Sequence, residues 1–551
     1  MTTPNPGLPL WPLYVQCARR GSGLFGGDSK QLVDMVASTG DPRTVLERLD
    51  ASDCSDESLL ALVSECFRPP GTDLEDVYPG DVASTSSGGA NRPFSRESLL
   101  QLLRSLTKRA VVNENTYSTL IPAPNPFVIP AGRFRESYYW DSYWIILGLL
   151  SCPDQWAADL CIGIVRNFAY MVDEMGFVPN GFREYYANRS QPPLLTVMVD
   201  SIATKCGRQN MIAEFLPVLK KELLFWRREE RTIVEESTGL AVSRYWSSWT
   251  APRAESLAED LRTAGGPVGN AARADSADSA DSADSADSAD SMGDGERERL
   301  FRDICAAAES GWDFSSRWMD ESNQLQSLRT TRILPVDLNA LLAKSERIVS
   351  GMAREVGDAD TSDTFARMAD EREAALRTLF WDDRRGKWRD LLLEGNRAVG
   401  FARKDDEDYA SDWVPLWCLG GDLEMRQRAT RSLEASKINQ EGGIAASSVH
   451  TGEQWDWPNA WPPLQYFLAS GCWSAKDEAS SRLGDSIRDR YMASARKAWG
   501  VWNSLPEKFD CTVPGGVGGG GEYAVVVEGF GWTLGLALLW LEPKNSNRVR
   551  N

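Results

Sequence analysis

The sequence predicts an all-α fold, a toroid of helical hairpins, on three observations. Apolar residues recur at i, i+3 and i+4 in a long series of stretches, as in WAADLCIGIVRNFAYMV at 156–172. The stretches lie at about 137–151, 156–175, 194–206, 211–229, 335–356, 361–379, 408–418, 424–435, 461–470, 477–503 and 525–541. Every second connection between them is long, polar and aromatic, while several of the others are short. Finally, blocks dense in charge and aromatic rings fall near residues 133, 189, 313, 456 and 507, and they meet only if the chain keeps returning to one place. Repeated hairpins with all their long loops at one end satisfy all three. A length of 551 residues alone would suggest three or four domains. The spread of the blocks favours one large domain instead.

Taken in order, residues 1–94 read as an irregular N-terminal arm or appendage that wraps the core. Its one helical-looking piece is SDESLLALVSECF at 55–67, followed by a stretch rich in Pro, Gly and Ser. A helix opens at Ser95 in SRESLLQLLRSLTKRAV, where Ser95 and Glu97 fall one residue short of a capping box. Residues 95–543 then carry the hairpins, and 544–551 form a tail. One segment breaks the alternation: 274–291 is six copies of Ala-Asp-Ser with no side chain large enough to pack. Asp and Ser every third residue favour caps and turns over helix interior, so a disordered acidic insertion is expected over about 264–296. A calcium loop would need glycines at fixed positions, which this repeat lacks.

Composition excludes several classes. The net charge is −19, from 60 Lys and Arg against 79 Asp and Glu, which argues against nucleic acid or anionic membrane as a partner. Ten scattered cysteines without a CxxC pair read as reduced core thiols. No segment reaches the roughly 20 apolar residues of a membrane span and the N-terminus lacks a signal-like apolar run, so a cytoplasmic location is expected. The single histidine, His450, disfavours His-based nucleophile systems and His-ligated zinc. Carboxylates must then carry any acid and base work.

The 21 tryptophans, many inside polar loops, suit sugar stacking. The block PAGRFRESYYWDSYW at 130–144 packs two arginines, a glutamate, an aspartate and a run of aromatic rings together, which is what sugar hydroxyls and the apolar face of a pyranose require. By itself it also fits an aromatic helix start buried in a core. Asp313 in GWDFSSRW follows an indole in a block poor in exposed charge, where a carboxyl can keep its proton near neutrality. By itself it also reads as a helix N-cap. The glycines at 515, 516 and 518–521 would let the backbone close over a small ligand; GK[ST] is absent, so this is not a phosphate loop.

Two blocks carry a resemblance to a known family. PAGRFRESYYWDSYW resembles the first signature of the trehalases, and QWDWPNAWPP at 454–463 resembles the second. VPNGFREYYANRSQPP at 178–193, ESGWDFSSRW at 309–318, and EKFD followed by GGGGEYAVVVEGFGWTLG at 507–535 are also similar to blocks of that family. The likeness covers nearly the whole chain after about residue 25.

The resemblance implies a barrel of six helical hairpins, (α/α)6, and hydrolysis of α,α-trehalose to two glucose molecules by inversion, with no metal or organic cofactor. It implies Asp313 as general acid and Glu507 as general base. It places Arg133, Trp140, Asp141, Asn180, Arg189, Ser190, Gln191, Arg253, Glu255, Gly311 and Glu522 around the substrate, with Trp140 and Trp312 as walls. Lys508, next to Glu507, need not face it. The sequence departs from the family pattern at Ala131, Ala254 and Leu534. A related inverting α-glucosidase, or a trehalose-binding sensor without catalysis, remains the alternative reading.

Overall fold

The structure is a computed structural model that describes residues 7–20, 28–81, 92–111, 113–265, 292–523 and 526–541. Among them, twelve helices build the ring. Six are inner: α2 (Asp141–Leu150), α4 (Leu195–Cys206), α6 (Val336–Glu355), α8 (Pro415–Cys418), α10 (Pro462–Ser474) and α12 (Gly531–Trp540). Six are outer: α1 (Arg96–Ser105), α3 (Gln155–Met175), α5 (Arg208–Phe225), α7 (Ala359–Thr378), α9 (Leu423–Glu434) and α11 (Glu478–Trp502).

Burial separates the two sets. Every residue of α2 and α12 is buried, as a helix packed on all sides requires, whereas α9 and α11 expose a polar face. Consecutive inner helices touch, and α12 packs against α2 to close the ring. Closure depends on two glycines: a Cβ on Gly148 would stand 2.5 Å from the carbonyl oxygen of Gly535. The α2 and α12 backbones therefore meet closer than any side chain would allow.

Turns from an inner to the next outer helix are short, as at 151–154 and 419–422, while each inner helix is entered by a long loop. All the long loops therefore gather at the N-terminal ends of the inner helices. One apolar cluster runs from Leu99 to Trp540 through both rings.

Three local differences from the sequence expectation have physical causes. The helix opened by Ser95, whose side chain accepts from the Ser98 amide, stops at Ser105. Thr107–Ala110 is then a strand between Leu74–Asp76 and Phe127–Val128. A helix at Asp294–Glu309, to which the sequence reading gave no element, leads into the acid block. Its first turns, DGERER, are too polar to show an apolar period, so the signal begins only at Leu300. The limits expected for the acidic insertion shrink accordingly, because Ala264 is buried and residue 294 opens that helix. The Ala-Asp-Ser repeat and the tail lie outside the described residues.

The arm carries more helix than the one piece read from sequence: Trp11–Arg19, Ser29–Val33 and Arg43–Asp50 join Asp56–Cys66. These helices share an apolar cluster with Tyr138, Tyr185, Tyr186, Ala254 and Leu257 from the long loops. Beneath it lies a buried ion network. Lys30 reaches Asp34 at 2.8 Å and Glu136 at 2.7 Å, and Arg183 reaches Glu136 at 2.9 Å and Asp73 at 3.0 Å. The arm is thus seated on the loop end of the ring.

Candidate active site

At the loop end the chain forms a cavity with about 100 Å³ of space open to water-sized groups. Asp313, Glu507 and Asp141 all face it, as do Arg133, Trp140, Asn180, Arg189, Gln191, Arg253, Glu255, Gly311 and Glu522. Of the residues expected to bind the substrate, apart from the expected wall Trp312, Ser190 alone does not. Its hydroxyl donates to the Val178 carbonyl at 2.6 Å and its amide to Glu309, so it braces the loop from behind.

Asp313 sits on a loop held from several directions. The Asp456 carboxylate accepts from Ser315 Oγ at 2.9 Å and from the Ser316 amide at 2.7 Å. Gln454 donates to the Asp313 carbonyl, and the Trp455 amide donates to Phe314 at 3.0 Å. Arg317, fully buried, ties the same loop to α6 through Asp337 and to Asp390 at 2.7 Å each. Just before the acid, Gly311 has φ +73°, and a Cβ there would fall 2.7 Å from the Trp140 ring. Only glycine lets the indole lie against this loop.

The Asp313 carboxyl keeps some surface open to the cavity but is otherwise surrounded by protein. Burial raises its pKa to about 7; Arg253 works against the shift and Glu522 adds to it. Burial also raises Asp141 well above the carboxylate range, with Glu507 and Asp313 adding to it.

Glu507 has a different setting. Tyr523 donates to its Oε1 at 2.7 Å, while its buried Oε2 takes no hydrogen bond from the protein. Lys508, which the sequence left free to face either way, folds back: its ammonium, itself buried, stands 3.6 Å from Glu507 Oε2 and donates to Gln454 at 2.8 Å. Glu507 and Lys508 form a bend just before the strand Phe509–Asp510, and the long lysine stem brings its tip round to the carboxylate's side.

The arginines are held by acids, of which Glu255 and Glu522 also face the cavity. Arg253 donates three side-chain hydrogen bonds and one backbone hydrogen bond to Asp260, and one to Glu522 at 2.8 Å. Arg189 bonds Asn180 at 2.9 Å and Glu255 at 2.5 Å. Burial opposes ionisation of Glu255, but Arg189 and Arg253 outweigh it and its pKa is lowered; its Oε2 is left without a protein partner. Arg133 lies over the Tyr523 ring at 4.3 Å and forks onto Asp28 of the arm at 2.8 and 2.9 Å.

Aromatic walls complete the cavity. Trp455 and Trp461 stack at 3.9 Å with their planes 2° apart, and Trp140 and Trp532 pack near them. Trp312, expected as a wall, stands behind Trp455 at 5.1 Å. Sequence reasoning named none of Trp455, Trp461, Trp532, Tyr523 or Gln454, although the block QWDWPNAWPP that holds three of them was in view. His450 rests against Trp457 at 5.3 Å, away from the cavity wall. Leu534 is buried in α12 among the core residues. All ten cysteines are unpaired, and no group of three or more His, Cys, Asp or Glu is placed to hold a metal ion among the described residues.

A toroid of helical hairpins with a buried, protonatable carboxyl and a second carboxylate in one indole-lined cavity defines a class, the glycoside hydrolases that work with a carboxyl pair. The comparisons narrow the class. The trehalase family profile matches residues 25–545. Trehalase from Homo sapiens is 34% identical over 536 residues, spanning 94% of this chain and 86% of the relative. Trehalase from Arabidopsis thaliana is 33% identical, spanning 88% and 76%. Among solved structures, the neutral trehalase from Saccharomyces cerevisiae superposes with a TM-score of 0.60 at 24% identity, over 76% of this chain and 74% of that one. The chain belongs to the trehalase family.

Proposed function

We propose that this protein is an α,α-trehalase, hydrolysing trehalose to two glucose molecules with Asp313 as general acid and Glu507 as general base. The observation that carries the reading is the asymmetry of the pair. A proton held on Asp313 to about pH 7 is available for the interglycosidic oxygen, whose bond to the anomeric carbon then breaks. The Oε2 of Glu507 accepts no hydrogen bond from the described residues and stands 3.6 Å from the Lys508 ammonium, so it is open to take a proton from water, while Tyr523 fixes Oε1. Water then adds to the anomeric carbon from the opposite face, which inverts that centre.

Trp455, Trp461 and Trp140 offer faces for pyranose rings, and the Arg133, Arg189 and Arg253 guanidiniums offer donors to their hydroxyls. Asp141, buried at the first turn of α2, is assigned a hydroxyl of the substrate. The binding set so proposed keeps every expected residue except Ser190, which acts through the loop.

Incubation of the pure protein with a panel of α-linked disaccharides tests the reading. Glucose should appear with trehalose and with none of the others; trehalose binding without glucose release would sink it in favour of a sensor. Proton NMR at early times should show α- and β-glucose in equal amounts, because one product keeps its α configuration and the other is released as β. An excess of α-glucose would overturn inversion.

Two coarser expectations complete the proposal. Residues 95–543 form the catalytic domain, with 1–94 as an arm that supplies Asp28 and Lys30 beside the cavity. Among the described residues no helix is long and apolar enough to cross a membrane. A cytoplasmic location is proposed on the unpaired cysteines, with cell fractionation as the test.

A further inference from the structure

Next to the catalytic cavity lies a second and larger one, with about 750 Å³ of space open to water-sized groups. It opens between the end of α11, the strand Thr107–Ala110 and the chain on both sides of the catalytic loops. Gly132 and Arg135 form part of one wall, and residues 527–529 part of another. The two cavities are distinct: none of the residues around Arg92, Trp502 and Ser504 faces Asp313 or Glu507.

Its polar lining is unusual for a chain with a net charge of −19. The Nη1 atoms of Arg92 and Arg135 and the hydroxyl of Ser504 are all buried, and none has a hydrogen-bond partner among the described residues. Buried donors left unpaired on one cavity are costly, and a ligand that brings acceptors relieves them. Arg92 is fixed through its backbone rather than its side chain: its amide donates to Asn503 and its carbonyl accepts from the Trp499 indole at 2.7 Å. The acids at the site do not relieve the arginines. Asp76 is taken by Lys108, and Glu528 is exposed at the rim. Beside the donors the wall turns apolar, with Leu102, Ile129 and Trp502, which is 48% exposed although it ends a helix packed on the core.

We infer that this cavity is a second ligand site, for a phosphorylated monosaccharide. Arg92, Arg135 and Ser504 supply donors for the phosphate oxygens, and the face of Trp502 takes the sugar ring. A bare anion would satisfy the donors but leave most of the cavity and the indole unused. A neutral sugar would use the indole and leave two arginines unpaired.

Titration calorimetry on the full chain tests the inference. Glucose 6-phosphate is the probe, with inorganic phosphate, adenosine monophosphate and glucose as comparisons, each in the presence of a saturating non-hydrolysable trehalose analogue that blocks the catalytic cavity. The sugar phosphate should bind with the analogue present, at least about tenfold more tightly than any of the three comparisons, which is the size of one charge-assisted contact. Trp502→Ala, on the surface, should weaken that binding about tenfold and leave kcat/KM for trehalose unchanged. Arg135→Gln should abolish the preference for sugar phosphate over glucose, with its melting curve recorded to show that it folds. Equal affinity for adenosine monophosphate or for phosphate alone would overturn the ligand class. Displacement by the analogue, or wild-type affinity in both variants, would overturn the site.

Discussion

Asp313 and Glu507 face one cavity, yet the protein treats them differently, and single substitutions should show it. Asp313→Asn removes the proton held by burial, and Glu507→Gln removes the acceptor left open at Oε2, while both keep shape. Each should lose about 10² to 10⁴ in kcat while still binding a trehalose analogue, read by steady-state kinetics beside calorimetry. Near-normal kcat in either variant would mean that the role belongs elsewhere, with Asp141 the next candidate because it faces the same space. These two carboxyls, the arginines and Glu522 were named through the resemblance of their blocks to the trehalase family, since Asp313 by its own residues also reads as a helix N-cap, and the fold brings them to one cavity. What was not legible depended on the reach and direction of side chains. Ser190 is in the right loop but turns its hydroxyl to Val178. Lys508 is adjacent in sequence to Glu507 and doubles back to it, and Trp312 is displaced from the wall by Trp455. Spacing along the chain cannot tell a residue that lines a cavity from one that braces the residue lining it.

At the scale of elements, the ring was readable because the helical period and the alternation of connections report burial directly. The arm was not, since its helices are short and bury their apolar faces against loops of the ring rather than against one another alone. Its seat makes a prediction. Lys30 is 2% exposed and is bonded by Asp34, Glu136 and Tyr185, so Lys30→Met leaves two buried carboxylates short of a cation. Breaking a buried pair from one side costs about 3–5 kcal/mol. Denaturant unfolding should show a loss of that order, and limited proteolysis should cut the arm first; stability within about 0.5 kcal/mol of the parent would show that Arg183 alone satisfies the acids. The opposite outcome is expected for the acidic repeat. Ala264 is buried and the helix from Asp294 is anchored by Leu300 and Phe301, so both ends of the insertion are held by their own packing. Deleting residues 274–291 should therefore leave kcat/KM and melting temperature nearly unchanged, because closing a shorter loop changes entropy only slowly with length. A large loss of activity would tie the repeat to the site.

For the molecule as a whole, the same burial that primes the acid sets how stability follows pH. Burial lifts Asp313, Glu222 and Glu453 to about 7 and Asp303 and Asp412 to about 6, and it raises Glu259 and Asp260 as well. Unfolded, such groups titrate near 4. Between about pH 4 and 7 the folded chain therefore holds more protons than the unfolded one from these groups. Their contribution to stability is complete below about pH 4 and is lost as pH rises through the folded values. Two groups run the other way. Burial opposes ionisation of Asp34 and Glu255, but Arg183 and Lys30 in the first case, and Arg189 and Arg253 in the second, hold their pKa values down. Their contribution is present above about pH 4 and disappears as pH falls below it. The melting temperature should accordingly peak in mildly acidic solution and decline towards about pH 8, where the raised carboxyls must ionise inside the fold. The alkaline fall of kcat/KM should lie near pH 7, where Asp313 gives up its proton, and His450→Ala should leave it in place because that ring stands off the cavity wall. Asp313→Asn separates the stability effect from catalysis. An amide cannot ionise, so the variant should melt higher than the parent at about pH 8 and close to it at about pH 5, measured by calorimetry on both proteins. Equal melting at about pH 8 would mean that Asp313 ionises without penalty, and the general acid would then have to be sought among the other carboxyls that face the cavity.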